Sequence, residues 1–210
     1  VIIAIDGPAA SGKGVLGRGI AAELELPHLD TGLLYRAVAH RLITAAVTLD
    51  DEAAARDAAL RLDIAGLDAA VLRGAEMGEA ASRVAAYPSV REALVALQRG
   101  FAARDGGAVL DGRDIGTVIC PHADVKLFVT ASAEERARRR WRELVLGGAP
   151  LDYDAVLADI RRRDERDSGR KSAPLRQATD AVLLDTTELD AEAALAAALT
   201  IIRAKVASLA

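Results

Sequence analysis

The stretch "VIIAIDGPAASGKGVLGRG", Val1 to Gly19, holds two overlapping nucleotide-binding fingerprints. The apolar run Val1 to Ile5 reads as a buried parallel strand that closes on Asp6 and a glycine turn. From Gly7 the chain then reads G-x-x-x-x-G-K, a phosphate loop, and from Gly12 it reads G-x-G-x-x-G, a dinucleotide turn. In a dinucleotide turn the first glycine follows the strand almost at once, because the pyrophosphate sits tight on the helix start. Gly12 lies six residues beyond Asp6. The intervening Gly7, Pro8, Ala9, Ala10 and Ser11 are the length needed to wrap backbone N–H groups around a phosphate. Gly12, Lys13, Gly14 and Val15 then open a helix, with Lys13 reaching the terminal phosphates. The phosphate-loop reading is the stronger. Asp30, near the spacing of a ribose-binding acid, keeps an NAD-binding oxidoreductase as its rival.

Composition narrows the class. At 210 residues and 51% hydrophobic, the chain is long enough for one large α/β domain with a sizeable core. Only six residues are aromatic, so that core must be built from Ala, Leu, Val and Ile, and a base-stacking nucleic-acid platform is not expected. One cysteine allows no internal disulfide, in keeping with a reducing cytosol. No apolar run reaches the ~18 residues of a membrane-spanning helix and the start shows no signal-peptide pattern, so a cytoplasmic protein is expected. The chain opens at Val1 without a methionine, and a few leading residues are expected to be missing. Net charge is −4, unevenly spread: Arg136 to Arg176 holds twelve Lys and Arg against seven Asp and Glu, so +5, which leaves −9 elsewhere. A basic arm on an acidic body is a nucleic-acid arm, a solvated helix or a device for holding phosphate.

Strand and helix alternate along the chain, which implies a parallel sheet covered by helices. Helices are expected over 12–26, 33–47, 51–62, 75–86, 89–104, 133–146, 153–170 and 190–209. Asp30 or Thr31 is the expected cap of the second helix. Strands are expected at "HLDTG", "AVLDGRD", "DVKLFVTAS" and "AVLLDTT", and "GGAP" is expected to break the helix before it. "LDIAGLDAAVLRG", Leu62 to Gly74, alternates and holds two glycines, which predicts a small stranded element outside the main sheet. Repeats, low-complexity linkers and a second independent domain are not evident.

Two further patterns bear on chemistry. Arg136, Arg139 and Arg140 fall at i, i+3 and i+4, and Arg163, Arg166, Asp167 and Arg170 at i, i+3, i+4 and i+7, so each set shares a helix face. Like charges on one face repel, so such a stripe needs an anionic partner, for which nucleotide phosphates serve. Asp167 would either hydrogen-bond a sugar hydroxyl or orient an arginine. Asp111 ends "AVL", where phosphate-loop enzymes commonly put a carboxylate near magnesium or its water shell. Cys120 and His122 form C-x-H, but with His28 and His40 remote in sequence and no second pair, Cys120 reads as a small buried hydrophobe. A GTPase-like switch is disfavoured because the Asn-Lys-x-Asp stretch that reads guanine needs an asparagine and the chain has none.

Six blocks in order, "DGPAASGKG", "HLDTGLLYRAVA", "ASRVAAYPSVREAL", "LDGRDIGTVICPHADVKLFVTAS", "EERARRRW" and "RRRDERD" followed by "APL", resemble the bacterial cytidylate kinases over essentially the whole chain. The resemblance implies a phosphate-loop nucleoside monophosphate kinase fold, a three-layer α/β/α arrangement on a five-stranded parallel sheet with an enlarged NMP-binding insertion and a short LID. It divides the chain into core at 1–30, NMP-binding region at 31–105, core at 106–141, LID and arginine-rich helix at 142–172, and core at 173–210. It implies phosphoryl transfer from ATP to CMP and dCMP with Mg2+, in pyrimidine nucleotide metabolism, by a cytoplasmic monomer without nucleic-acid or membrane partners.

By the same resemblance, Gly7 to Val15 bind ATP, and Lys13, Arg136, Arg139 and Arg140 are catalytic, the arginines closing over ATP. Thr31 and Asp167 look like sugar contacts, and Arg36, Arg113 and Arg170 like ligands of the acceptor phosphate. Ser82, Arg91 and Asp114 correspond to positions that read cytosine, and Arg163 to another substrate-site arginine. A monophosphate already presents an ionised oxygen, so positioning and electrostatics are the chemistry required and no general base is needed. The chain departs from the pattern twice. Gly14 stands where the full phosphate-loop motif has a magnesium-binding hydroxyl, and Val15 stands where relatives with the "GKG" variant usually carry Thr or Ser.

Overall fold

The computed structural model describes residues 1–72, 74–148 and 152–208. Five short strands build the sheet: β1 Ile2–Asp6, β2 His28–Asp30, β3 Ala108–Gly112, β4 Val125–Thr130 and β5 Val182–Asp185, in the order β2-β3-β1-β4-β5. β1 is parallel to both β3 and β4, and β4 is parallel to β5. Parallel neighbours require crossovers, and here they are helical. α1 Lys13–Glu23 and α9 Ala191–Ala207 cover one face, closing over Ile3, Ile5, Val109, Leu127 and Val129. These positions alternate along the strands with residues of the other face, so Asp6 points away from the side that Ile5 and its partner Asp111 occupy.

The chain forms two compact units, residues 1–29 with 102–210, and residues 30–101. The first holds the sheet core and also α7 Ala133–Leu146 and α8 Tyr153–Ser168, which pack on each other around Ala137, Val156 and Ile160. The second is helical. It comprises α2 Gly32–Thr44, α3 Glu52–Leu60, α4 Ala69–Leu72, α5 Ala75–Val84 and most of α6 Pro88–Ala102, with α2 packed on α5 and α3. Its hydrophobic interior includes Leu34, Val38, Val84, Val90 and Leu94, all fully buried.

Among the described residues of Leu62 to Gly74 the expected small stranded element does not form. A 3-10 turn, Ile64–Gly66, and the short α4 stand there instead. Asp63 Oδ1 accepts from Ala65 N at 3.1 Å and Asp68 Oδ1 from Ala70 N at 2.9 Å, so each aspartate starts a helical turn by satisfying a backbone donor that a strand would need a neighbour to meet. The arginine-rich helix is also shorter than expected: α8 ends at Ser168 with Gly169 as its cap, which leaves Arg170 beyond the helix. α7 runs to Leu146 as expected; of the break, Ala149 and Pro150 lie outside the described residues, as does Leu209 of the last helix.

Candidate active site

β1 is flanked by β3 and β4, so the chain departs to both sides of it, and a crevice beyond the strand ends at such a point is where open α/β sheets bind ligands. The glycine-rich loop sits there. A Cβ on Gly7 would lie 2.0 Å from the Val129 carbonyl oxygen, so only glycine lets the loop leave β1 this close to β4. Ala10 and Gly12 turn through positive φ, 58° and 86°, and Gly12 stands at the start of α1 with no side chain capping its first N–H groups. Those donors and the helix dipole suit an anion. Lys13 is buried along the loop, its Nζ donating to Pro8 O at 3.0 Å. Ser11 Oγ is fully buried in the same loop with no hydrogen-bond partner among the described residues. Val15 is 55% exposed on the first turn of α1, so a polar side chain there would meet solvent or ligand.

Of the five arginines of α7, Arg136, Arg139 and Arg140 do different work. Arg136, 5% exposed, donates Nε to Ala131 O at 2.9 Å and Nη1 to Ala9 O at 3.1 Å, and grips both oxygens of Asp164 at 2.9 and 2.6 Å. It ties the phosphate loop to α7 and α8. Arg139 borders the loop: its Nη1 is 3.8 Å from where a Cβ on Gly12 would stand, and it donates to Thr186 Oγ1 at 3.0 Å and to Thr186 O at 2.5 Å. Arg140 pairs with Glu143 on the helix surface at 2.8 Å. Their shared helix face does not give them a shared partner.

A second group gathers on Asp167, 3% exposed. Arg113 Nε donates to its Oδ2 at 2.8 Å, Arg170 donates to its Oδ1, and Arg163 adds its field. Burial disfavours ionisation of Asp167 most strongly. Arg113, Arg170 and Arg163 together outweigh it and hold the carboxyl below its ordinary range. Of the stripe read from spacing, Arg163 and Arg170 therefore converge on Asp167, with Arg113 joining from the end of β3; Arg170 reaches the cluster from beyond the helix. Asp114 is buried and starts a π-helical turn, Ile115–Ile119. The β1–β3 register sets Asp6 opposite Gly112, so Gly7 and Arg113 are the first residues past two paired strands, at the C-terminal end of the sheet.

Asp111 bonds His28 at 2.7 Å beneath α1, where a Cβ on Gly17 would come within 2.7 Å of His28 Nε2. It faces the helix that carries Lys13, and one oxygen is committed to the imidazole. Cys120 is buried, as expected. No group of three or more His, Cys, Asp or Glu suited to a metal occurs among the described residues.

In the helical unit, Arg36 of α2 donates Nη1 to Leu72 O at 2.8 Å. Arg91 of α6 is buried with its guanidinium 5.5 Å from the centre of the Tyr35 ring. Ser82 of α5 is buried as well. Thr31 is buried at the start of α2; its side chain makes no capping bond, and Asp30 Oδ1 instead accepts from Gly32 N at 3.1 Å. Local spacing in the sequence gives no role to Tyr35, to Asp164 or to the pairing of His28 with Asp111. Only Asp164 had a signal there, as a carboxylate inside "RRRDERD" able to answer a buried arginine.

No helix among the described residues is long and apolar enough to cross a membrane. The family model described as cytidylate kinase matches residues 3–204. A cytidylate kinase of Xanthobacter autotrophicus is 64% identical over 205 residues, covering 98% of each chain. One from Azorhizobium caulinodans is 64% identical over 202 residues, covering 96% of this chain and 98% of the relative. Among solved structures, an uncharacterized protein from Eubacterium ventriosum matches with a TM-score of 0.57 at 14% identity over 97% of this chain and 98% of that one, a likeness of fold alone.

Proposed function

This chain belongs to the cytidylate kinase family, and from that membership we propose that it transfers the terminal phosphoryl group of ATP to CMP and dCMP, as a cytoplasmic monomer of pyrimidine nucleotide metabolism. The carrying observation is the register of β1 with β3. It brings the glycine-rich loop and the arginine that leads the Asp167 cluster to the same, C-terminal end of the sheet, which supports a transfer between two phosphates.

In this reading Gly7 to Val15 wrap the donor phosphates, with backbone N–H groups from Gly7, Ala9, Ala10, Ser11, Gly12, Gly14 and Val15 and with Pro8, which has no N–H, shaping the loop, and Lys13 swings from Pro8 O to follow the transferring group. By family correspondence Arg36, Arg113 and Arg170 are ligands of the acceptor phosphate and Arg163 is another substrate-site arginine. Asp167 orients Arg113 and Arg170 and accepts from the sugar, as does Thr31. Ser82, Arg91 and Asp114 read the cytosine ring, whose amino group donates to a carboxylate and whose ring nitrogen and carbonyl accept. Arg139, already against Gly12, and Arg140 neutralise charge that develops in transfer, and Arg136 keeps the loop in place. The family division into core, NMP-binding region 31–105 and LID 142–172 goes with this reading, in which a lid over ATP excludes competing water.

The loop fits ATP: the first N–H groups of α1 carry no side-chain cap, and the buried Ser11 hydroxyl has no hydrogen-bond partner among the described residues. Mg2+ would be held mainly by phosphates and water, with Asp111 through water, and would supply charge neutralisation at the transferring group; Gly14 offers no hydroxyl. The test is magnesium-dependent ADP production from ATP with CMP, dCMP, UMP or AMP offered separately, against Lys13→Ala as background. Turnover with CMP and dCMP and little with UMP is expected, since uracil reverses two ring donor positions and a mismatched buried polar group costs ~1 to 3 kcal/mol. Turnover independent of acceptor refutes it.

A further inference from the structure

We propose that Asp6 is a positioning residue of the acceptor site, its carboxylate holding the backbone turn that carries Arg113 and Asp114. This rests on the reading above, that those two residues meet the acceptor nucleotide. Asp6 is 4% exposed at the end of β1. Its two oxygens divide two backbone donors between them: Oδ1 accepts from Ile115 N at 2.7 Å and Oδ2 from Gly116 N at 2.7 Å. Those N–H groups directly follow Asp114 and open the π-helical turn, where no earlier carbonyl of the turn is in place to receive them. The Asp114 carbonyl in turn accepts from Val118 N at 2.9 Å and Ile119 N at 3.1 Å. A side chain from the neighbouring strand thus caps the turn from outside.

A second brace comes from β4. Lys126 Nζ donates to Pro121 O at 2.6 Å, just past the turn, and its stem lies against Gly116. A Cβ on Gly116 would stand 3.1 Å from Lys126 Cδ and 3.4 Å from Asp6 Oδ2, so the turn packs closely against side chains of both β1 and β4. π-helical turns are uncommon and concentrate at functional sites. Here the grip comes from the residue immediately before Gly7. One carboxylate therefore fixes the acceptor turn to the strand from which the phosphate loop leaves, and transfer rates fall steeply with small errors in that alignment.

The test compares Asp6→Asn with the wild-type chain by steady-state kinetics, varying CMP at saturating ATP and ATP at saturating CMP, with thermal unfolding alongside. Asparagine can accept only one of the two N–H groups and presents an NH2 to the other. The KM for CMP is expected to rise about tenfold while the KM for ATP stays within about twofold. A merely structural role would lower the active fraction and kcat without separating the two KM values. Equal changes in both, or an unchanged KM for CMP, overturns the proposal. If Asp6→Asn does not fold, Gly116→Ala disturbs the same turn from the Lys126 side, and the same split is required of it. Wild-type turnover separates the two levels: no CMP-dependent ADP formation overturns the proposed function and this inference with it, whereas normal wild-type turnover without the split overturns this inference alone.

Discussion

Replacing Arg136 by lysine distinguishes an anchor from a mobile catalytic arginine. Arginine here makes four donations: two to backbone carbonyls, Ala131 O and Ala9 O, and two to the oxygens of Asp164. Lysine keeps the charge and can retain one contact with Asp164, but its single ammonium cannot span the fork. The two carbonyls lose their donor at a buried site, at about 1 kcal/mol each, and the bidentate pair loses about another 1 kcal/mol, for a total of about 3 kcal/mol. In a chain of this size that lowers Tm by about 6 to 12 °C. Arg140→Lys is the control. Its partner Glu143 is 62% exposed, so its pair contributes at most about 0.5 kcal/mol and Tm should move by less than about 2 °C. Scanning calorimetry of the three proteins without nucleotide reads the difference. An Arg136→Lys protein that melts with the wild type while losing turnover would refute the anchoring assignment and return Arg136 to the group that acts on ATP alone.

Val15→Thr places a hydroxyl on an exposed first-turn position, so Tm should not change while kcat/KM for ATP rises about tenfold or more, a charged hydrogen bond being worth ~1.5 to 3 kcal/mol; no gain shows that water already serves. Gly17→Ala drives a Cβ to 2.7 Å from His28 Nε2 and should separate His28 from Asp111, at a cost of about 1 to 3 kcal/mol by urea unfolding; an unchanged midpoint refutes the close approach. Burial, opposed by the Gly116 and Ile115 N–H groups, pushes Asp6 up to about 6 from 3.8. The folded state then binds this proton more tightly than the unfolded chain, so the group's contribution to stability is greatest below the unfolded value and falls as pH rises through 6, by about 3 kcal/mol in all. Urea unfolding of wild type against Asp6→Asn from pH 4 to 7 should show that difference declining with pH, and a rising difference would contradict the assignment.

What could be read from the sequence was whatever local rules govern. The apolar run, glycine spacing and lysine of the first nineteen residues specify strand, loop and helix because each needs only its neighbours in the chain. The convergence of Arg163 and Arg170 on Asp167 was legible from spacing, and it survives the early end of α8 because Arg170 is only three residues from its partner. Arg136 and Arg139 could not be told apart in this way. Their roles depend on Asp164 and Thr186, 28 and 47 residues away, and helical spacing says nothing of what faces a helix. The segment after Leu62 misled for a local reason: alternation suggested strands, but the two aspartates cap helical turns within it. Asp6 was visible only as the end of a strand, since its partners lie more than a hundred residues on.

The most direct test identifies the product. Chromatographic analysis of a reaction holding ATP, CMP and Mg2+ should show one CDP formed for each ADP, with dCMP giving dCDP in the same ratio and Lys13→Ala giving neither. ADP accumulating without CDP would mean that water, not the nucleotide beside Arg113, receives the phosphoryl group, and would contradict the account.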